Sequence, residues 1–451
     1  MRFLASPSLD LKEPMQKHRY LKLSALGLLA LVGCNRDRVA EQPVEAEPTP
    51  QVVEEVQQDD PAQVAALEEA GFELTKGSDG LVTKLSVVTD EPIPEALKNL
   101  AGVPNVKEAL FSGPGMTDEG MEALENLTKL ERVDLSNSAA GDETLKTLAK
   151  LPNLQVLFLR RTGVSDEGME VLKSLTKLRA IDLRNTNVGD AGLKHLAGLS
   201  KLADVQVEKA NVNDAGVASI AGLPLKSLNV NYCTSISDAA MKALANTETL
   251  ESIQMDYTKL SDEGMAVVSN FPKLKRLRIR GCDVTGEGIK HVAGLKNLTR
   301  MELRDSSLDD AGLAVIADLP KMNYLDISEC RLVTPEGMKA IGKMSNLEVL
   351  NLWETKVDDV GVNEFGGLTK LKALNLKATG VSDESIDALM KLTNLEDLTV
   401  AGTLLTDDSF RKLGTLPNLK KLNVANTSIG FDVIDEIAEN NPDLEVIEFE
   451  N

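Results

Sequence analysis

The sequence is short of the residues that usually carry chemistry or lock a small fold. Aromatic residues make up 3% of 451 positions, and tryptophan occurs once. With so few rings the interior must be filled by aliphatic side chains, chiefly leucine, which suits regular stacked layers better than an irregular core. Four cysteines in this length do not make a disulfide framework, and three histidines leave little scope for imidazole catalysis or metal binding. Cations are scarce as well: 49 Lys and Arg face 70 Asp and Glu, a net charge of −21. That balance argues against a nucleic-acid partner, which would require a basic surface to neutralise phosphates. No apolar run approaches the roughly 20 residues needed to span a bilayer.

The most apolar stretch, Leu23–Val32, follows Lys17, Arg19 and Lys22 and ends in Leu31-Val32-Gly33-Cys34. A basic segment, a short apolar run and a small residue before a cleavage point make residues 1–33 a signal peptide. The closing tetrapeptide resembles the lipobox of bacterial lipoproteins. The resemblance implies cleavage after Gly33, lipidation of Cys34 and a membrane-anchored place in the cell envelope, periplasmic or on the outer surface. The simpler alternative is an ordinary signal peptide with an incidental cysteine. Asp10 and Glu13 do not suit a basic leader, so Met15 reads as the true start. Residues 34–60 then comprise the lipidated cysteine and an acidic tether whose Glu- and Pro-rich composition predicts disorder.

From Val103 onward the chain repeats every 24 or 25 residues. Leu151–Ser174 reads LPNLQVLFLRRTGVSDEGMEVLKS, and Leu175–Gly198 reads LTKLRAIDLRNTNVGDAGLKHLAG. Fourteen such units fill residues 103–440 and a truncated unit fills 441–451, preceded by an N-terminal cap over 61–102. In the cap, a helix is expected from Pro61 to Ala70 and a hairpin around Lys76–Gly80. A fixed period of this size means a solenoid. Within each unit LxxLxL has the two-residue period of a short strand, and [ST]-D-[EA]-G-[LM] then opens a helix with one apolar stripe. Serine or threonine is expected to cap that helix, and the acids that follow suit the positive end of its dipole. Thr334-Pro335-Glu336-Gly337 supports this register, because proline is tolerated at the first helical position.

The pattern resembles the leucine-rich repeat, most closely the cysteine-containing subclass of F-box substrate receptors and their bacterial relatives. The resemblance implies an α/β horseshoe, with a parallel sheet on the concave face and short helices on the convex one. It also implies an inward turn position, held here by residues such as Thr162, Thr186, Cys233, Cys282 and Cys330. Parallel strands lie about 4.8 Å apart, so cysteines two repeats apart are separated by roughly 10 Å, too far for a disulfide or a shared metal. His195 and His291 occupy one helix position four repeats apart, and no nucleophile has a base at hand. Gly337–Met344, GMKAIGKM, falls one residue short of a phosphate loop and lies inside a repeat helix. The doubled acids Asp309-Asp310, Asp358-Asp359 and Asp407-Asp408 sit at helix caps, which explains them without calcium. Neither a cofactor nor a catalytic residue is expected, and the chain reads as no enzyme.

The polar residues between the strand leucines face outward, and nothing in the core requires them. Counting repeats from Val103, repeats eight and nine bring Arg276, Arg278, Arg280, Arg300 and Arg304 together, flanked by Tyr257, Tyr324 and Trp353. A second patch, Arg160, Arg161 and Arg184 with Phe158, lies nearer the N-terminal end. Arginine and large aromatics are the side chains enriched in interface hot spots. Cross-strand pairs Arg278–Glu302 and Arg280–Asp256 offer a merely structural alternative, although those two acids cannot serve all five arginines. The expected function is therefore protein binding through the concave face, with an acidic partner and a membrane anchor at Cys34. Two alternatives stand beside it: substrate recognition for a ubiquitin ligase, as the F-box resemblance implies, and anion or glycan binding in the same groove.

Overall fold

The computed structural model describes residues 57–449. The signal peptide, the Met15 start, the lipidated Cys34 and the tether as far as residue 56 lie outside the described residues, as do residues 450 and 451.

Among the described residues 17 strands form one sheet. Glu73–Lys76 and Val82–Val88 make an antiparallel hairpin. Every later neighbour is parallel and consecutive in sequence, ending with Lys421–Asn423 against Glu445–Ile447. Parallel neighbours need a crossover between them, and a short helix in each repeat supplies it, giving a leucine-rich-repeat horseshoe. Most strands are only three residues long, with the central side chain inside and its neighbours on the open face. Leu277, for example, stacks between Ile253 and Met301, all three fully buried.

The strands are short because the chain turns out of the sheet a few residues later. Eleven non-glycine residues hold a positive φ at that turn, among them Arg161 (55°), Tyr232 (60°) and Tyr257 (53°). The left-handed conformation costs an L-residue about 1–2 kcal/mol. It persists here because the sheet hydrogen bonds run past the strand into the turn: Tyr257 N donates to Arg280 O at 2.7 Å. At the inward position, threonine hydroxyls donate to the carbonyl three residues back, as Thr162 does to Leu159 O at 2.6 Å. The cysteines instead reach the preceding repeat, Cys282 Sγ donating to Met255 O at 3.1 Å and Cys330 Sγ to Leu303 O at 3.2 Å. All three thiols are free and buried.

Most serines and threonines at the helix starts cap their own helices as expected: Ser237, Ser261, Thr285, Thr334 and Ser382 each accept an amide of the following turn. The side chains of Ser165 and Thr406 accept no bond from their own helices. Where an aspartate stands at the helix start, it reaches across to the next repeat. Asp142 accepts from the amide and hydroxyl of Ser165 at 2.9 and 2.6 Å, and Asp383 does the same for Thr406 at 2.8 and 2.6 Å. Serine and threonine thus also act as donors in a ladder of aspartates along the solenoid.

At the N-terminal end, Asp60 caps the helix Pro61–Glu69. Residues 57–60, read from composition as the end of the tether, are tied to the cap. Asp59 Oδ2 accepts from Val82 N at 2.6 Å, and Asn105 Nδ2 donates to Gln57 O at 2.6 Å. These long-range bonds outweigh the weak local propensity of the segment.

Candidate functional site

The open face of repeats seven to eleven is built from strand register. Arg276 lies between Ser252 and Arg300, and Arg278 lies between Gln254 and Glu302. Tyr324 is the next residue along the row after Arg300. Side chains in a row stand one strand spacing apart, so the long guanidinium arms reach across to neighbouring repeats.

Asp256 is the hub. It is fully buried, 0% exposed, and its Oδ2 accepts from Arg278 Nε at 2.6 Å and Arg280 Nε at 2.7 Å. Its Oδ1 accepts from the Arg280 amide at 3.0 Å. A second hub, Glu302, is 4% exposed; it accepts from Arg276 Nη2 and Arg300 Nε, each at 2.8 Å, with Arg278 Nε at 3.5 Å. Arg304 pairs with Glu329 at 2.7 Å. The expectation that some arginines lack an acid is thereby corrected: all five touch a carboxylate. Glu329 sits in the left-handed turn of its repeat, beyond the strand Tyr324–Asp326, where the alternating pattern has ended.

Aromatic rings complete the wall. The Arg300 guanidinium lies 3.7 Å from the Tyr324 ring centroid and the Arg304 guanidinium 4.3 Å from that of Trp353. Tyr257 stacks on Tyr232 with centroids 5.0 Å apart and planes at 16°. Its other face covers Gly281, where a β-carbon would overlap the ring. Tyr232 and Lys209, whose Nζ is 5.0 Å from the Tyr232 centroid, extend the wall beyond the residues singled out from sequence.

The acids are under electrostatic strain. Burial pushes the Asp256 carboxyl up to about 6 despite the opposing pull of Arg280, and neighbouring Glu302 adds to the rise. Burial also raises Asp326, 5% exposed, against the hydrogen bonds it accepts from Ser328. Three buried nitrogens on this face have no hydrogen-bond partner: Asn231 Nδ2, Arg276 Nε and Trp353 Nε1.

The second patch is less concentrated. Asp182 holds Arg184 through two oxygens, at 2.9 Å from Nε and 2.6 Å from Nη2. Phe158 is covered by Arg132, 4.6 Å from the ring centroid, rather than by Arg160 or Arg161. Arg161 is exposed on the left-handed turn. Asp204 and Glu208 of repeat five stand between the two patches in sequence.

Elsewhere, the described residues include no group of three or more His, Cys, Asp or Glu placed to hold a metal ion. No described helix is long and apolar enough to cross a membrane. A shallow recess lined by Glu348, Lys370, Lys372, Asn394, Glu396 and Asn418 is occupied by surface pairs such as Lys372–Glu348 at 2.8 Å.

Among solved structures, an internalin (InlF) of Listeria monocytogenes superposes with a TM-score of 0.55 at 22% identity, over 80% of this chain and 92% of its own. A leucine-rich-repeat protein of Leptospira interrogans superposes with a TM-score of 0.53 at 17% identity, over 79% of this chain and 92% of its own. At these identities the likeness is one of fold. No curated protein matches the sequence at a significant level. The family model described as a leucine-rich repeat region matches residues 114–339, half of the chain. By its repeat period, its strand-and-helix unit and this match, the chain belongs to the leucine-rich repeat family.

Proposed function

We propose that this chain is a non-enzymatic, lipid-anchored scaffold of the bacterial cell envelope that captures an acidic protein partner on the open face of repeats seven to eleven. One observation carries the reading. Five guanidiniums, two of them stacked on aromatic rings, converge on the open face of repeats eight and nine in a chain of net charge −21. Repeat solenoids present extended concave surfaces for binding, and arginine is suited to bidentate contact with carboxylates. Burying Asp256 and Glu302 carries a desolvation cost that their arginine pairs largely serve to offset, so fold stability is a weak reason to assemble so many. Anchoring through Cys34 and export by residues 1–33 rest on the lipobox resemblance.

Arg278 and Arg280 neutralise the fully buried Asp256, so the test must spare them. The triple variant R276Q/R300Q/R304Q changes the more exposed arginines instead, in an E302Q background so that the buried Glu302 is not left charged without its cations. The mature chain, solubilised in detergent from its own membranes, is expected to retain an acidic protein that the triple variant loses. Equal retention by both chains would refute the site. Binding of oligosaccharides or small anions, without a protein partner, would favour the groove as an anion or glycan site.

A further inference from the structure

The acids beneath the arginines are as unusual as the arginines above them. Asp256, Glu302 and Asp326 are 0%, 4% and 5% exposed on three strands of the open face. Arg278 Nε bridges the first two, 2.6 Å from Asp256 and 3.5 Å from Glu302. Several charged and polar groups face Asp256. Asn231 Oδ1 accepts from its backbone amide at 2.8 Å in repeat six. Arg278 and Arg280 approach from repeat eight, and Glu302 acts on it from repeat nine. Tyr232 contacts Arg280, and the neighbouring Tyr257 feels Arg304 and Asp305. Asp256 stays ionised only because the guanidiniums of Arg278 and Arg280 lean on it. An anionic ligand placed on the outer side of the same guanidiniums competes for that positive potential.

Resting on the concave-face reading above, we infer that binding of an acidic partner is coupled to uptake of a proton by the buried carboxylate of Asp256, which Arg278 and Arg280 hold. The proton comes from bulk solvent and neutralises one carboxylate, leaving the arginine wall with a larger positive excess toward the partner. By linkage, affinity then rises as the pH falls. Asp256, whose carboxyl burial pushes up to about 6, is the group best poised to respond. His195 and His291 lie on the helices Asp190–Leu196 and Lys290–Val292 rather than on the sheet.

The test uses the detergent-solubilised mature chain and a fluorescent peptide of ten cysteic acids, whose sulfonates stay ionised over the range examined. Anisotropy titrations are expected to show affinity rising about fivefold between roughly pH 7.5 and 5.5. Calorimetry in two buffers of different ionisation enthalpy should show net proton uptake near neutrality, a readout that needs no variant. D256N, checked for native circular dichroism, should bind with a flatter pH profile, which separates Asp256 from the histidines. Peptide binding with no proton uptake and a flat profile would overturn the coupling alone. No peptide binding at any pH would overturn the concave-face reading beneath it as well.

Discussion

Asp262 of repeat seven caps the helix of repeat eight: its Oδ1 accepts from the Thr285 amide at 2.8 Å and its Oδ2 from the Thr285 hydroxyl at 2.6 Å. The same Oδ1 also takes the Gly288 amide at 3.0 Å. One side chain thus satisfies two helix-start amides that belong to its neighbour. D262A leaves those donors without a partner, and urea denaturation should show a loss of about 2 kcal/mol. A loss below about 0.5 kcal/mol would mean that the ladder contributes nothing beyond solvent capping.

The ladder is interrupted where the next repeat carries its own acid. Gly286 stands at the aspartate position of repeat eight, and a β-carbon there would overlap Asp309. Asp309 caps its own helix by accepting from Gly312 N at 2.9 Å. Installing the missing rung alone, G286D, should destabilise the chain by about 1–2 kcal/mol through carboxylate repulsion and crowding. Adding D309S should recover most of that loss, because the pair then matches its neighbours. Additive losses in the double variant would contradict the interpretation.

Gly281 has φ +60°, and its hydrogen is all that separates its backbone from the Tyr257 ring. G281A should therefore cost about 1–2 kcal/mol from the left-handed backbone and also displace Tyr257 from its stack on Tyr232. Thermal denaturation and near-ultraviolet circular dichroism of the tyrosines report the two effects separately. An unchanged tyrosine signal would mean that the stack is not held in place by this glycine.

The pH dependence of folding follows from Asp256. Its carboxyl stands above its ordinary value of 3.8, at about 6, so the folded state holds the proton more tightly than the unfolded chain. Stability contributed by this group is gained as the pH falls through about 6 toward 4 and is lost as the pH rises. Asp326 is shifted in the same direction by burial. Wild type should therefore gain about 1–3 kcal/mol relative to D256N between roughly pH 7 and 5. Parallel stability curves for the two chains would show that Asp256 stays ionised throughout.

The solenoid was legible in the sequence because its information is local and repeated. A two-residue period in LxxLxL and a helix start of fixed spacing recur in register, and the structure has strands such as Arg276–Arg278 on that pattern. What one repeat does for the next was not legible. Asp142 was read as part of its own helix, although both its oxygens serve Ser165, 23 residues later. The same limit applied to the open face. Rows of arginine could be written down from the period, but the reach of Arg278 to both Asp256 and Glu302 depends on side-chain length and burial. Glu329 and Tyr232 escaped notice because they occupy the left-handed turn, where alternation has already ended. The three orphan donors carry no sequence signal, since Asn231, Arg276 and Trp353 are ordinary residues until their neighbours are known.

The central claim is that the open face of repeats seven to eleven is where a partner sits. Site-specific photo-crosslinking in intact cells tests it most directly. A benzoylphenylalanine at Ser252 or Val349, half-buried residues on that face, should trap an acidic protein in a discrete adduct. The same group at Lys194 or Glu287, exposed on the helices, should not. Adducts formed from the helix positions and absent from Ser252 and Val349 would contradict the account.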